Sequence, residues 1–151
     1  MKIKAVINVV SVLIMVMGAA VMLAGLVSWL MDDPLNVTTN IMLCSAFSII
    51  VGLILHLKTQ QRNYEVNPRE VYAVVTVGWL AVCTVGAIPF VIVQDMSFTD
   101  SFFEIMSGLT TTGATVLSDI EAVSRGLLFW RCFCNWLGGL RIVILSMAIL
   151  P

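Results

Sequence analysis

The chain has 151 residues and a net charge of −1; 60% of the residues are hydrophobic, 11% are charged, and the mean hydropathy is +1.02. That composition lies far from that of soluble domains, and the eight basic residues never gather into a stripe that could track phosphates, which argues against a nucleic-acid partner. Enzymes that need a nucleotide loop, or a base beside a nucleophile, find no motif here. The sequence reads as an all-α integral membrane protein.

A helix rises 1.5 Å per residue, so about 20 apolar residues cross the hydrocarbon. The first apolar run, 5–31, follows Lys2 and Lys4 and exceeds the roughly 7–15 residues of a signal-peptide core, so it reads as a retained span. Asp32-Asp33-Pro34 stops it, and a polar turn is expected through Asn40. A shorter run, 41–57, carries no full charge and reads as a second span. The sequence KTQQRNYEVNPRE at 58–70 then brings Lys58, Arg62 and Arg69. A third span, 71–94, holds Gly78, Gly86 and Pro89, which predict a bend near its end. The fourth span is 126–150.

With Lys2, Lys4 and the 58–70 loop on one side, the positive-inside rule makes that side cytoplasmic and puts the N-terminus inside. The opposite face receives Asp32, Asp33, Asp95, Asp100, Asp119 and Glu121 against Arg125. These acids form either a rim that concentrates cations or ordinary solvated loop charge. Cys44, Cys83, Cys132 and Cys134 all sit in apolar runs without a CxxC pair, which suits packed free thiols. His56, beside Lys58, suits an interfacial position, and no metal cluster can be assembled around it.

Between the third and fourth spans, Ser97 and Asp100 have the spacing of a helix cap. Phe98, Phe102, Ile105, Met106 and Leu109 follow at helical spacing, with Ser97, Ser101, Glu104 and Gly108 on the opposite stripe. This helix of about a dozen residues is too short to span. It runs into SGLTTTGAT at 107–115. In hydrocarbon an irregular backbone survives only where protein buries it or where it lines water, so the segment reads as a re-entrant half-span and loop. Its alternative is an amphipathic helix lying in the interface. The helix C-terminus, with its negative dipole end, would favour a cation. Thr110, Thr111, Thr112, Gly113, Ala114 and Thr115 offer successive carbonyls with no charged side chain among them, and Gly113 can take backbone angles closed to other residues. Such a row suits potassium, whereas smaller multivalent cations are usually met by carboxylates.

The blocks FFEIMSGLTTTGAT at 102–115, LFWRCFCNWLGGL at 128–140 and MAILP at 147–151, in this order of spans, resemble the Trk/Ktr/HKT superfamily of potassium-uptake proteins. The resemblance covers essentially the whole chain. It implies two leading helices followed by four non-identical repeats, each a helix, a pore loop and a helix, around one pathway. The chain then divides into a leading pair with its cytoplasmic loop, 1–70, and a first repeat, 71–151. The expected architecture is four transmembrane helices plus one re-entrant pore helix and filter loop.

The same resemblance implies potassium uptake, by symport, at a bacterial inner (plasma) membrane, with K⁺ as transported ion and no cofactor. It assigns the filter carbonyls to Thr111, Thr112 and Gly113, with Ala114 and Thr110 at the edges, and potassium first at Thr111 and Thr112. It implies lipid as surroundings, dimerisation, and regulatory input from a cytoplasmic nucleotide-binding ring. One repeat provides about a quarter of a filter, so the other walls are expected from further repeats or from other copies in a homo-oligomer. The alternative is a non-transporting assembly or interaction fragment. Arg131 has a counterpart in the family and is expected to snorkel from near the outer end. Arg141 stands where the family has glycine; mid-bilayer arginine costs about 2.5–3.5 kcal/mol, so Arg141 either faces a pathway and opposes cation flow or marks a chain no longer selected for transport.

Overall fold

The computed structural model describes residues 3–60 and 68–149, with side chains for 3–60 and 70–140. Among these there are five helices and no strand: α1 (Ile3–Leu30), α2 (Leu35–Thr59), α3 (Pro68–Gln94), α4 (Phe98–Leu109) and α5 (Arg125–Ile149). Helices α1, α2 and α3 are long and apolar enough to cross a membrane. Much of the basic 58–70 loop, Lys2 and the Arg141 side chain lie outside the described residues.

Helix α1 packs along α2 and also meets α3 and α5, while α4 touches α3 on one side and α5 on the other. The twelve residues of α4 are thus wedged between two long helices. Val21 and Ala24 from α1, Phe90 from α3, Ile105 from α4, and Leu127 and Trp130 from α5 meet in one buried cluster. Many apolar side chains elsewhere remain exposed, among them Val16, Leu43, Phe47 and Tyr72. A surface of that kind is stable against lipid or further protein.

The polar turn expected through Asn40 is instead the first part of α2. Pro34 has φ −52°, which is preset for entering a helix. The threonine hydroxyls that suggested a turn are satisfied within the helix pair: Thr39 Oγ1 donates to the Leu35 carbonyl at 2.8 Å, and Thr38 Oγ1 meets Ser28 Oγ at 3.0 Å.

Five of the six acids expected on the outer face sit at backbone turns or caps. Asp32 (φ 55°) and Asp95 (φ 51°) follow α1 and α3 in the left-handed region, where a short polar side chain is better tolerated than most. Asp33 accepts the Gly126 amide at 2.9 Å and the Arg125 amide at 3.2 Å, capping α5 from the turn between α1 and α2. Asp100 completes the cap that its spacing from Ser97 predicted, its amide donating to Ser97 Oγ at 3.1 Å. Asp119 accepts the amides of Glu121 and Ala122 at 3.1 and 3.3 Å.

His56 lies against Asn8, whose Nδ2 is 3.2 Å from His56 Nδ1 and 3.3 Å from Thr59 Oγ1, tying the start of α1 to the end of α2. All four cysteines are free; Cys44, Cys83 and Cys134 are buried and Cys132 is exposed.

Candidate functional site

Helix α4 ends at Leu109, and the chain then turns through Thr110 into an exposed loop. The first residues of that loop fold back on the helix end. The amides of Thr112 and Gly113 donate to the Ser107 carbonyl at 2.9 and 3.4 Å, and the Thr111 amide donates to the Gly108 carbonyl at 2.8 Å. Carbonyls that a helix C-terminus leaves unpaired are thereby used to anchor the loop.

Two residues apart, Thr111 (φ 58°) and Gly113 (φ 74°) both lie in the left-handed region. Glycine takes that conformation without a steric cost, but a β-branched threonine there is strained by roughly 1–3 kcal/mol. The sequence pointed to Gly113 for this geometry, and the structure adds Thr111, which composition could not single out.

The five expected filter residues lie together in this loop, and their carbonyls are not equivalent. The Thr110 carbonyl accepts Thr111 Oγ1 at 2.7 Å. The Ala114 carbonyl accepts Ser107 Oγ at 2.6 Å. The Gly113 carbonyl accepts Nη2 of Arg131 at 3.4 Å. The carbonyls of Thr111 and Thr112 accept no hydrogen bond among the described residues.

The far side of the loop is held by Glu104, a carboxylate only 1% exposed in the middle of α4. Its Oε2 accepts the Val116 amide and Thr115 Oγ1, each at 3.1 Å, and its Oε1 is paired with Nε of Arg131. The sequence placed Glu104 merely on the polar stripe of α4 and expected Arg131 to snorkel. Both are instead turned inward on each other. The signal available in the sequence was one acid and one base, each isolated in an apolar stretch, which hydrocarbon makes costly unless they meet.

Helix α5 reaches the end of α4 through Gly138. A Cβ there would lie 2.5 Å from the Leu109 carbonyl oxygen, so the close approach requires glycine. Beneath the contact, Leu13, Gly78, Trp79, Leu109, Leu137 and Gly138 line an open apolar cavity of about 330 Å³. Arg141 is within α5, three residues beyond Gly138.

Comparison with known proteins places the chain in a family. A family model named TrkH, described as a cation transport protein, matches residues 37–151. The Trk system potassium uptake protein TrkH of Salmonella typhimurium is 33% identical across the whole chain, and an uncharacterized cation transporter of Methanocaldococcus jannaschii is 30% identical across 98% of it. In each case the chain spans 31% of the relative's length. The crystal structure of the potassium transporter TrkH from Vibrio parahaemolyticus superimposes with a TM-score of 0.87 at 29% identity, over all of this chain and 32% of that one. Matched by the family model over most of its length, and by relatives over all of it, this chain belongs to the TrkH family, a family of cation transporters rather than enzymes.

Proposed function

We propose that the chain takes part in potassium uptake across a bacterial inner membrane, supplying one segment of a potassium-selective filter. In this reading α1, α2, α3 and α5 are transmembrane, the N-terminus is cytoplasmic, and α4 is a re-entrant pore helix. Residues 1–70 are the leading pair and 71–151 the first pore-loop repeat. Thr111 and Thr112 present their carbonyls to K⁺, with Gly113, Thr110 and Ala114 shaping the loop around them. Remaining walls come from further repeats or from other copies, and a cytoplasmic nucleotide-binding subunit is a fitting regulator.

The observation that carries the reading is the pair of unbonded carbonyls, Thr111 and Thr112, held at the C-terminal end of a buried helix by left-handed residues. A carbonyl without an internal partner can replace water around a weakly hydrated cation. The negative end of the helix dipole adds to that preference.

The chain's extent, 31% of its relatives, supports a second reading in which the 151 residues alone assemble in the membrane but do not transport. Complementation of a potassium-uptake-deficient bacterium, with rubidium uptake measured alongside, separates the two. Growth and uptake by the chain alone support the transport reading; failure where a full-length relative succeeds leaves the fragment reading. Arg141→Gly is the companion variant. Better insertion or uptake would identify Arg141 as an obstacle, and unchanged behaviour in both would remove it from the pathway.

A further inference from the structure

We propose that Glu104 and Arg131 form a positioning pair that decides which loop carbonyls stay free for a cation. The proposal rests on reading the loop as a filter segment, and it concerns two side chains that touch no ion themselves.

One guanidinium bridges two elements. Nε of Arg131 is paired with Glu104 on α4, and Nη2 reaches the Gly113 carbonyl at 3.4 Å. The rigid planar fork of arginine holds both contacts at once in fixed geometry, where an ammonium on a flexible stem would not. Glu104 in turn holds the opposite limb of the loop through Val116 and Thr115. The pair therefore grips the loop on either side of Ala114, whose own carbonyl is taken by Ser107. Gly113 and Ala114 are occupied from within, and Thr111 and Thr112 are left open.

Charge explains why a pair is used rather than either member alone. An unpaired carboxylate beside the loop would be a hard anionic ligand suited to divalent cations. An unpaired guanidinium would repel every cation approaching the carbonyls. Together they fix the backbone and add no net charge beside the ion.

The Thr112–Gly113 step is the only Thr–Gly step in the sequence, so carbonyl-¹³C threonine with ¹⁵N glycine labels the Thr112 carbonyl uniquely. The 151-residue chain would be measured in nanodiscs by solid-state NMR, first in sodium and then with potassium titrated in. Wild type should give one signal that moves on potassium addition. In Arg131→Gln the signal should be displaced or split already in sodium, and the titration midpoint should rise roughly tenfold, as expected for losing a charge-assisted hydrogen bond. An unchanged signal and midpoint in Arg131→Gln would overturn the proposal. A wild-type signal indifferent to potassium, with Arg131→Gln still displacing it in sodium, would overturn the claim that this chain alone holds a carbonyl open to a cation, while leaving the pair as the determinant of loop shape. If Arg131→Gln loses its helical circular dichroism, Arg131→Lys is read instead. It keeps the charge near Glu104 but lacks the fixed fork that spans Glu104 and Gly113, so the signal should be displaced there too, and a wild-type signal and midpoint would refute the fork's role in setting the loop.

Discussion

Trp130 donates its indole N–H to the carbonyl of Gly86 at 2.9 Å, joining α5 to α3 just before Pro89 interrupts the α3 ladder. Proline lacks the amide that would return to the preceding turn and crowds that turn as well. The carbonyl left without its amide by Pro89 is that of Val85, one residue before Gly86, so the Trp130 bond is an added fastening beside the interruption. Trp130→Phe keeps most of the ring but removes the indole donor to Gly86. It should cost about 0.5–1.5 kcal/mol, read as a shift of the thermal unfolding midpoint in detergent.

Asp33 provides a second cross-chain fastening. Removing its carboxylate in Asp33→Ala frees the Gly126 and Arg125 amides at the start of α5, as well as the Ser28 hydroxyl that donates to it at 2.9 Å. The expected loss is about 1–2 kcal/mol, the scale of a lost helix cap. Asp33→Asn, which retains one acceptor oxygen, should lose less. Equal stability of the alanine variant and wild type would contradict the capping role.

Neighbouring glycines on α5 should respond in opposite ways. At Gly138 an added Cβ meets the Leu109 carbonyl oxygen at 2.5 Å, whereas at Gly139 nothing lies within 4 Å. Gly138→Ala should therefore destabilise by about 1–3 kcal/mol, because backbone must move. Gly139→Ala should be neutral or stabilising by up to about 1 kcal/mol through helix propensity. Thermal unfolding of the two variants side by side tests the packing of α5 on the end of α4.

Left-handed positions in the loop give a similar contrast. Gly113→Ala meets open space but a left-handed conformation disfavoured for a residue with a Cβ, and should cost about 1–2 kcal/mol. Thr111→Gly relieves strain at φ 58°, offsetting the extra freedom gained by the unfolded chain, and should be close to neutral in stability. Protease susceptibility of the loop should rise for Gly113→Ala and stay near wild type for Thr111→Gly.

The long helices were legible because hydrocarbon thickness imposes a length and a composition that a sequence displays openly. Helix α4 was equally plain, since its cap and its spacing of apolar residues both act within a dozen positions. What escaped the sequence was pairing at a distance. Asp33 reaches Gly126 across 93 positions, and Arg131 reaches Glu104 across 27. No local periodicity records such partners. The sequence therefore showed these residues without their partners: Asp33 only as loop or rim charge, Arg131 only as able to snorkel. The start of α2 was missed for a different reason, because serine-like hydroxyls that favour turns can equally be absorbed by helix carbonyls.

The fastenings of the loop have short reach along the chain: Ser107 to Ala114 spans 7 positions, Glu104 to Val116 spans 12, and Arg131 to Gly113 spans 18. Short loops close with little entropic cost, and contacts between near neighbours form early. Once the first turns of α5 have been synthesised, all three of these fastenings are present, before distant parts of a polypeptide could contribute. The loop's geometry can therefore be set during synthesis and inherited by whatever assembles around it, so that assembly selects partners for a finished loop instead of moulding an unfinished one.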